Sequence, residues 1–486
     1  MLAGFIIGMK IKNFGSIMIT VLENRVKLMK QGIPVKEKQE YIMNIDDISV
    51  DGEGIGRIEG YTMFIEGALP GEKVRVRVVK VGRNHGYGEL LDIIEPSPNR
   101  VFPPCPYSAR CGGCSLQHIS YNSQIEFKTR RVRDALERIG KISDVMVHKT
   151  IGMQTPWRYR NKAQFPIRMD NGVLSIGFFM PGSHDIVDID SCMIQHESCD
   201  KVIEIIRKFI RKYNIPVYDE RTHRGIVRHV VTRMGFKTGQ LMVVIVTNGR
   251  RLPYSNELVA LLTSGLPNLI SIVQNINSMK TNVILGNENL TLWGQDHIVD
   301  ILAGLTFKIS PLSFYQVNSA QTEVLYGKVL EYAGLTGKET VIDLYSGIGT
   351  ISLFLARDAY KVYGIEEVPQ AVYDAWENAK INGISNVEFI EGKAEDIIPE
   401  LVDGGMRADV VVLDPPRKGC DQAVLDALAR MAPPRIVYVS CNPATLARDL
   451  KFLTEQGYKV EEVQPVDMFP HTTHIECVVL MSRVEK

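Results

Sequence analysis

The chain has 486 residues, enough for two to four domains of about 100–200 residues with their own cores, and too many for a disulfide-stapled mini-protein. Hydrophobic residues at 45% and charged residues at 23% fit a soluble globular protein, and no apolar run reaches the about 18–20 residues of a membrane helix. The 56 Lys and Arg balance 56 Asp and Glu, so any nucleic-acid binding has to be a local patch rather than a property of the whole chain. Met1 to Met9 is apolar but lacks a basic leader and a small-residue cleavage site, and a cytoplasmic location is expected.

Residues 1–40 show no clean period and are read as a poorly ordered tail. From 41 to 97 short alternating strands (51–58, 61–65, 72–81, 86–94) are separated by glycines, the signature of a small β-barrel of OB type. In Lys73 to Arg83 (KVRVRVVKVGR), Lys73, Arg75 and Arg77 share one strand face and Val74, Val76 and Val78 the other. The basic face is either a track for a phosphate backbone or a solvated edge.

Residues 98–310 read as a mixed α/β central domain that opens on a proline-rich linker. Cys105, Cys111 and Cys114 crowd there, with Cys192 farther on, while Cys199, Cys420 and Cys477 read as core thiols. In a chain this long such spacing argues for metal ligands rather than a disulfide framework. Zinc and an iron–sulfur cluster are both open, C-x5-C being longer than the usual zinc knuckle. A helix is expected over 125–139, and residues 128–162 carry ten Lys and Arg against three Asp and Glu, with Trp157 and Tyr159 interleaved. That composition suits RNA binding and an ordinary basic surface equally.

From 311 to 486 strands and helices alternate, as in an α/β doubly wound Rossmann-like parallel sheet. DLYSGIG (Asp343–Gly349) closes a strand and opens a helix, so Gly347 and Gly349 let a nucleotide-like ligand approach the backbone. Glu366, 23 residues past Asp343 at the end of the next strand, is placed to accept ribose hydroxyls, and Ser352 in place of a third glycine favours S-adenosylmethionine over a dinucleotide. Asp414 ends a strand in DPPRKG, where Arg417 stands in place of the aromatic that amino-group methylation would need. Cys441 in SCNP precedes a helix whose dipole is expected to lower the thiol pKa, making it a candidate nucleophile. Glu476 stands at the mouth of the last strand, with His471 and His474 nearby but without the cysteine spacing of a zinc site.

Taken in order, the barrel, the C-x5-C-x2-C run with a distant fourth Cys, FYQVN (Phe314–Asn318), DLYSGIG, DPPRKG, SCNP and HTTHIE (His471–Glu476) resemble the RNA uracil-C5 methyltransferases. The likeness is to the branch that acts on 23S ribosomal RNA and carries a TRAM barrel and a [4Fe–4S] cluster. It implies that Cys441 adds to C6 of uracil and Glu476 removes the C5 proton. Gln316, Tyr345, Glu366 and Asp414 would contact S-adenosylmethionine or shape its pocket, and Cys105, Cys111, Cys114 and Cys192 would hold the cluster. The chain departs from many relatives at Thr350 and Ala394. The same chemistry on a transfer-RNA T-loop is the alternative substrate, and a non-catalytic iron–sulfur RNA-binding protein the alternative class.

Overall fold

The computed structural model describes residues 33–484, so most of the expected tail over 1–40 lies outside the described residues. Two compact units are formed, one by the chain up to Pro104 with Ser115–Ser123, the other by Cys105–Cys114 with Gln124 onward.

The first unit is a closed five-stranded barrel in the order β1-β2-β3-β5-β4, from β1 (Glu40–Ile48), β2 (Gly54–Ile58), β3 (Tyr61–Ile65), β4 (Lys73–Val81) and β5 (His85–Glu95). Val74, Val76 and Val78 point inward with Met43, Ile45, Met63 and Ile65, as the period of two requires. β1 escaped the sequence reading because a register shift between Ile45 and Asp47 breaks its alternation, and Val35 before it already belongs to the core. The basic face of β4 is neutralised within the barrel. Lys73 pairs with Glu95, Arg75 with Glu40 and Asp92, and Arg77 with Glu40 and Glu89, all at 3.1–4.0 Å. The phosphate-track reading of Lys73, Arg75 and Arg77 therefore gives way to a solvated, self-paired face.

The second unit opens with Cys105–Cys114 and takes α1 (Tyr121–Ala135) from Gln124 on, extended by one wider turn, Leu136–Gly140, and followed by a short β6 (Met146–Val147). A seven-stranded sheet follows, ordered β13-β12-β11-β10-β7-β8-β9: β7 (Lys162–Asp170), β8 (Val173–Phe179), β9 (Ile186–Asp188), β10 (Val227–Met234), β11 (Leu241–Thr247), β12 (Leu269–Ile276) and β13 (Glu288–Gly294). α2 (Ser198–Lys212) covers it with Cys199, Val202, Ile203, Ile206, Phe209 and Ile210, a helical stripe, and α3 (Ser255–Gly265) adds Leu258 and Leu262. The hairpin β14 (Ile298–Leu302) and β15 (Leu305–Ile309) leads to α4 (Ser319–Ala333).

The remaining chain alternates β16 (Thr340–Leu344), α5 (Thr350–Ala356), β17 (Lys361–Glu366), α6 (Pro369–Ile381), β18 (Val387–Glu391), α7 (Ala394–Asp403), β19 (Val410–Leu413), α8 (Gln422–Met431), β20 (Arg435–Ser440), α9 (Pro443–Glu455), β21 (Tyr458–Val466) and β22 (Glu476–Arg483). Its sheet runs β18-β17-β16-β19-β20-β22-β21-β6, with only β22 antiparallel to its neighbours. The apolar strands are buried on both faces, because Val341, Val410, Val412 and Val437 enter one core while Ile342, Leu344, Val411, Leu413 and Ile436 enter the other. The first of these cores also takes Val244, Val246 and Val273 of the seven-stranded sheet, so the boundary expected at 310 does not separate two cores. Strand order reverses between β16 and β19, the position where open α/β sheets bind ligands at their carboxyl ends. Among the described residues no helix is long and apolar enough to cross a membrane.

Candidate active site

The carboxyl ends of β16, β17, β19, β20 and the start of β22 face one cavity of about 730 Å³. Its lining brings together all six candidates expected at the catalytic and cofactor sites: Gln316, Tyr345, Glu366, Asp414, Cys441 and Glu476. At β16 the chain turns sharply. Tyr345 takes φ +66°, a left-handed conformation that costs free energy for a residue with a Cβ, and Gly347 and Gly349 follow at +55° and +80°. A Cβ at Gly349 would meet the Phe389 ring at 2.8 Å, whereas one at Gly347 would meet nothing within 4 Å, leaving backbone open to a ligand. Glu366 is oriented from both sides, one carboxylate oxygen accepting the Gly347 N–H and the other the Val368 N–H, each at 2.9 Å. Ser352 has a role that sequence reading missed: its hydroxyl donates to the buried Asp343 carboxylate at 2.5 Å.

The floor of the cavity is acidic. Burial pushes Asp343 up to about 7 and Asp414 up to about 6. Burial also raises Glu476 well above the usual carboxylate range; the Asp414 charge adds to this and Arg417 opposes it. The Cys441 thiol is pushed up to about 11, first by burial and then by Glu476 and Asp414, against Arg417. The expected lowering by the α9 dipole is thus outweighed by desolvation and two carboxylates. Two motif loops are tied together here. Asn442 caps α9 by accepting the Ala444 N–H, and its amide donates to the Arg417 carbonyl at 3.1 Å, which Thr445 also bonds.

The segment Asp467–Glu476 is held by residues that the sequence suggested for RNA. Lys128 forms a fully buried ion pair with Asp467 at 2.5 Å and donates to the Phe469 carbonyl. Tyr159 donates to the Pro470 carbonyl, Arg131 to that of Thr473, and Trp157 stacks on His471 with centroids 3.7 Å apart. Arg158 binds Asp200 and the carbonyls of Cys192 and Gln195. His471 takes φ +67° and is clasped by Gln124, so it is a loop anchor. His474 lines the cavity beside Phe469, and burial, followed by Arg417, Arg131, Lys128 and Arg160, lowers it to about 4. Phe314 also lines the cavity and is 69% exposed, a flat apolar face that the FYQVN motif did not by itself announce.

Residues 120–484 match the family described as tRNA (Uracil-5-)-methyltransferase, and residues 34–91 match the TRAM domain. The chain belongs to the tRNA (uracil-5-)-methyltransferase family. It is 53% identical over 454 residues to a protein of Clostridium tetani described as an uncharacterized RNA methyltransferase, covering 93% of this chain and 98% of that one. A similarly described protein of Halalkalibacterium halodurans is 52% identical, with 93% and 99% covered. The solved Pyrococcus abyssi tRNA (uracil-54, C5)-methyltransferase in complex with S-adenosyl-L-homocysteine superposes with a TM-score of 0.74 at 30% identity, covering 90% of this chain and 99% of that one. This family member is an S-adenosylmethionine-dependent RNA uracil-5-methyltransferase, and the cavity fits that cofactor. Its volume is in the range of about 300–1,000 Å³ for small-molecule sites, and Asp414 in its lining, held at about 6, can complement a cationic sulfonium.

The cysteines fit soft-metal chemistry as donors. Cys105, Cys111, Cys114 and Cys192 form no disulfide and are all partly buried. Burial raises Cys111 and Cys192; Cys105 contributes to both shifts and Cys111 to that of Cys192, which places these three in one neighbourhood. The Gly113 N–H points to the Cys111 sulfur at 3.4 Å, and the N–H groups of Ile194 and Gln195 bond Cys192, contacts that stabilise thiolates. Among the described residues no three His, Cys, Asp or Glu side chains are arranged around a single metal ion.

Proposed function

We propose that this enzyme methylates C5 of a uridine in 23S ribosomal RNA through a covalent adduct with Cys441, in the cytoplasm. The observation that carries the mechanism is the convergence of Cys441, Glu476 and Asp414 with Arg417 and Glu366 in one cavity at the switch point of the sheet. Uracil C5 is too weak a nucleophile to react unaided. The Cys441 thiol gives up its proton to solvent and its sulfur bonds to C6, the C5=C6 electron pair moves to C5 and O4, and C5 becomes enolate-like. S-Adenosylmethionine, when bound, would supply an electrophilic methyl group to C5 and leave as S-adenosylhomocysteine; Glu366 would hold its ribose hydroxyls, and Asp414 lines the same cavity. Glu476 then accepts the proton from C5, the C5=C6 bond re-forms and the thiolate leaves C6. Its raised pKa makes Glu476 a stronger base than a solvated carboxylate. The target base has to be unpaired to enter, and exposed Phe314 offers a face for stacking it.

The Cys441→Ala variant should bind cofactor yet produce no 5-methyluridine, and Glu476→Gln should accumulate a denaturant-stable protein–RNA adduct. Turnover by Cys441→Ala rejects the mechanism. Mass mapping of 5-methyluridine in 23S and transfer RNA from a deletion strain decides the substrate. The transfer-RNA reading is favoured by the Pyrococcus abyssi likeness. The uncovered tenth of this chain is about 49 residues, fewer than the 58 of the TRAM match, so that likeness extends into the barrel. A barrel alone does not separate the two substrates. The ribosomal reading rests on the resemblance of the full motif set, the four cysteines included. By the same resemblance Cys105, Cys111, Cys114 and Cys192 hold a [4Fe–4S] cluster. Anaerobically purified enzyme should then contain about four irons per chain, and stoichiometric zinc without iron excludes the cluster.

A further inference from the structure

The barrel's basic strand is paired to carboxylates, so its RNA contact has to be sought elsewhere on its surface. Phe64, His85 and Tyr87 form a cluster on the outer face of β3 and β5. Phe64 and Tyr87 are stacked at 5.7 Å and 29°, and His85 sets its edge against both rings at 5.5 Å. The strands leave them no inward alternative. A Cβ at Gly86 would meet the Lys80 carbonyl at 2.9 Å and one at Gly88 the Ile65 side chain at 2.6 Å, so β5 lies tight on the core and projects only His85 and Tyr87 outward there. The register sets Phe64 opposite Tyr87 and Tyr87 opposite Lys80, which puts a cation at the end of the aromatic row.

Lys80 and Arg83 differ from their neighbours on the same strand and turn. Among the described residues neither has a carboxylate within ion-pair distance, whereas Lys73, Arg75 and Arg77 all do. The opposite flank is acidic: Glu53 lies close enough to Asp51, Glu66 and His85 to feel their charges. Aromatic faces beside unpaired cations, with carboxylates on the far side, are complementary to a single strand whose bases lie on the rings and whose phosphates run along Lys80 and Arg83.

We propose that Phe64, Tyr87 and His85, flanked by Lys80 and Arg83, form a stacking platform for unpaired bases of the RNA substrate. The proposal rests on the reading that the chain acts on RNA and deepens it by naming the surface and the strand state. Binding of the full-length protein to oligouridylate and to a fully paired RNA duplex tests it. Tyr87→Ala should weaken oligouridylate binding roughly 5- to 150-fold, as loss of one base–aromatic stack does, with little change in salt slope. Tyr87→Trp should restore it. Lys80→Ala with Arg83→Ala should lower the log–log salt slope by up to about 1.4, and Arg75→Ala with Arg77→Ala should leave affinity and slope unchanged. Duplex binding should be indifferent to Tyr87→Ala. Unchanged oligouridylate affinity in Tyr87→Ala, or an equal loss in Tyr87→Trp, overturns the platform. Methylation at saturating substrate RNA is read separately, and its absence in the wild type counts against the proposed reaction while leaving the binding result standing.

Discussion

At the residue scale, the cavity pairs the candidate nucleophile with two acids that oppose its ionisation. Cys441 is held protonated in the RNA-free protein by burial, Glu476 and Asp414, with Arg417 pulling the other way. Its thiol should therefore titrate near about 11, and alkylation by iodoacetamide should rise with pH through the alkaline range rather than level off near neutrality. Glu476→Gln and Asp414→Asn each remove a negative charge, so in both variants the titration should move to lower pH. Arg417→Gln should move it to higher pH. A wild-type profile already saturated at pH 8 is inconsistent with this electrostatic picture. That Cys441 and Glu476 meet at one sheet edge was legible from SCNP and HTTHIE, but the sign of the thiol shift was not. A helix dipole is visible in a sequence, whereas the carboxylates that outweigh it, Asp414 after β19 and Glu476 on β22, come beside Cys441 only because β19 and β22 flank β20 in the sheet.

At the element scale, the segment Asp467–Glu476 carries the candidate base on a loop that would otherwise be free to move. It is fastened to α1 by Lys128 and Gln124 and to the segment before β7 by Trp157 and Tyr159. The basic and aromatic composition of residues 128–162 was read as equally suited to RNA or surface, because composition does not reveal which face meets a loop more than 300 residues later. Lys128→Met should take the buried ammonium away from the Asp467 carboxylate, costing about 3–5 kcal/mol. Combining it with Asp467→Asn should recover part of that loss, because the buried charge is then gone. Urea unfolding of the single and double variants measures both, and a double variant no better than Lys128→Met contradicts a charge-based account. The doubly wound sheet itself was plain from the repeated strand, glycine loop and helix units. The shared core across residue 310 was hidden, since Val244 and Val273 look the same in sequence whichever sheet they pack against.

At the scale of the whole molecule, the two units have separate hydrophobic interiors. The barrel core draws only on residues from Val35 to Ile93, and none of the three cores of the second unit includes any of them. Separate cores predict separate unfolding transitions in urea, and Glu72 supplies a way to identify the barrel's. Its carboxylate is buried and accepts the Arg100 guanidinium at 2.5 and 2.8 Å together with the Leu69 and Ser97 N–H groups. Burial acts to raise Glu72, but Arg100 and those N–H groups prevail and hold it below its ordinary 4.5. A carboxylate depressed in the folded state binds fewer protons there than in the unfolded chain. Its stabilisation is therefore complete above the unfolded value and is lost as pH falls through the folded one. The barrel transition should move to lower urea on acidification below about 4.5, through this group, and Glu72→Gln should remove that part of the pH dependence while costing on the order of 1–3 kcal/mol at neutral pH. Tryptophan fluorescence reports the second unit alone, because the three tryptophans, Trp157, Trp293 and Trp376, all lie there, and a transition seen in the tyrosine signal but not in the tryptophan signal belongs to the barrel. A Glu72→Gln substitution that shifts the tryptophan-reported transition as far as the barrel's would show that the two units unfold as one.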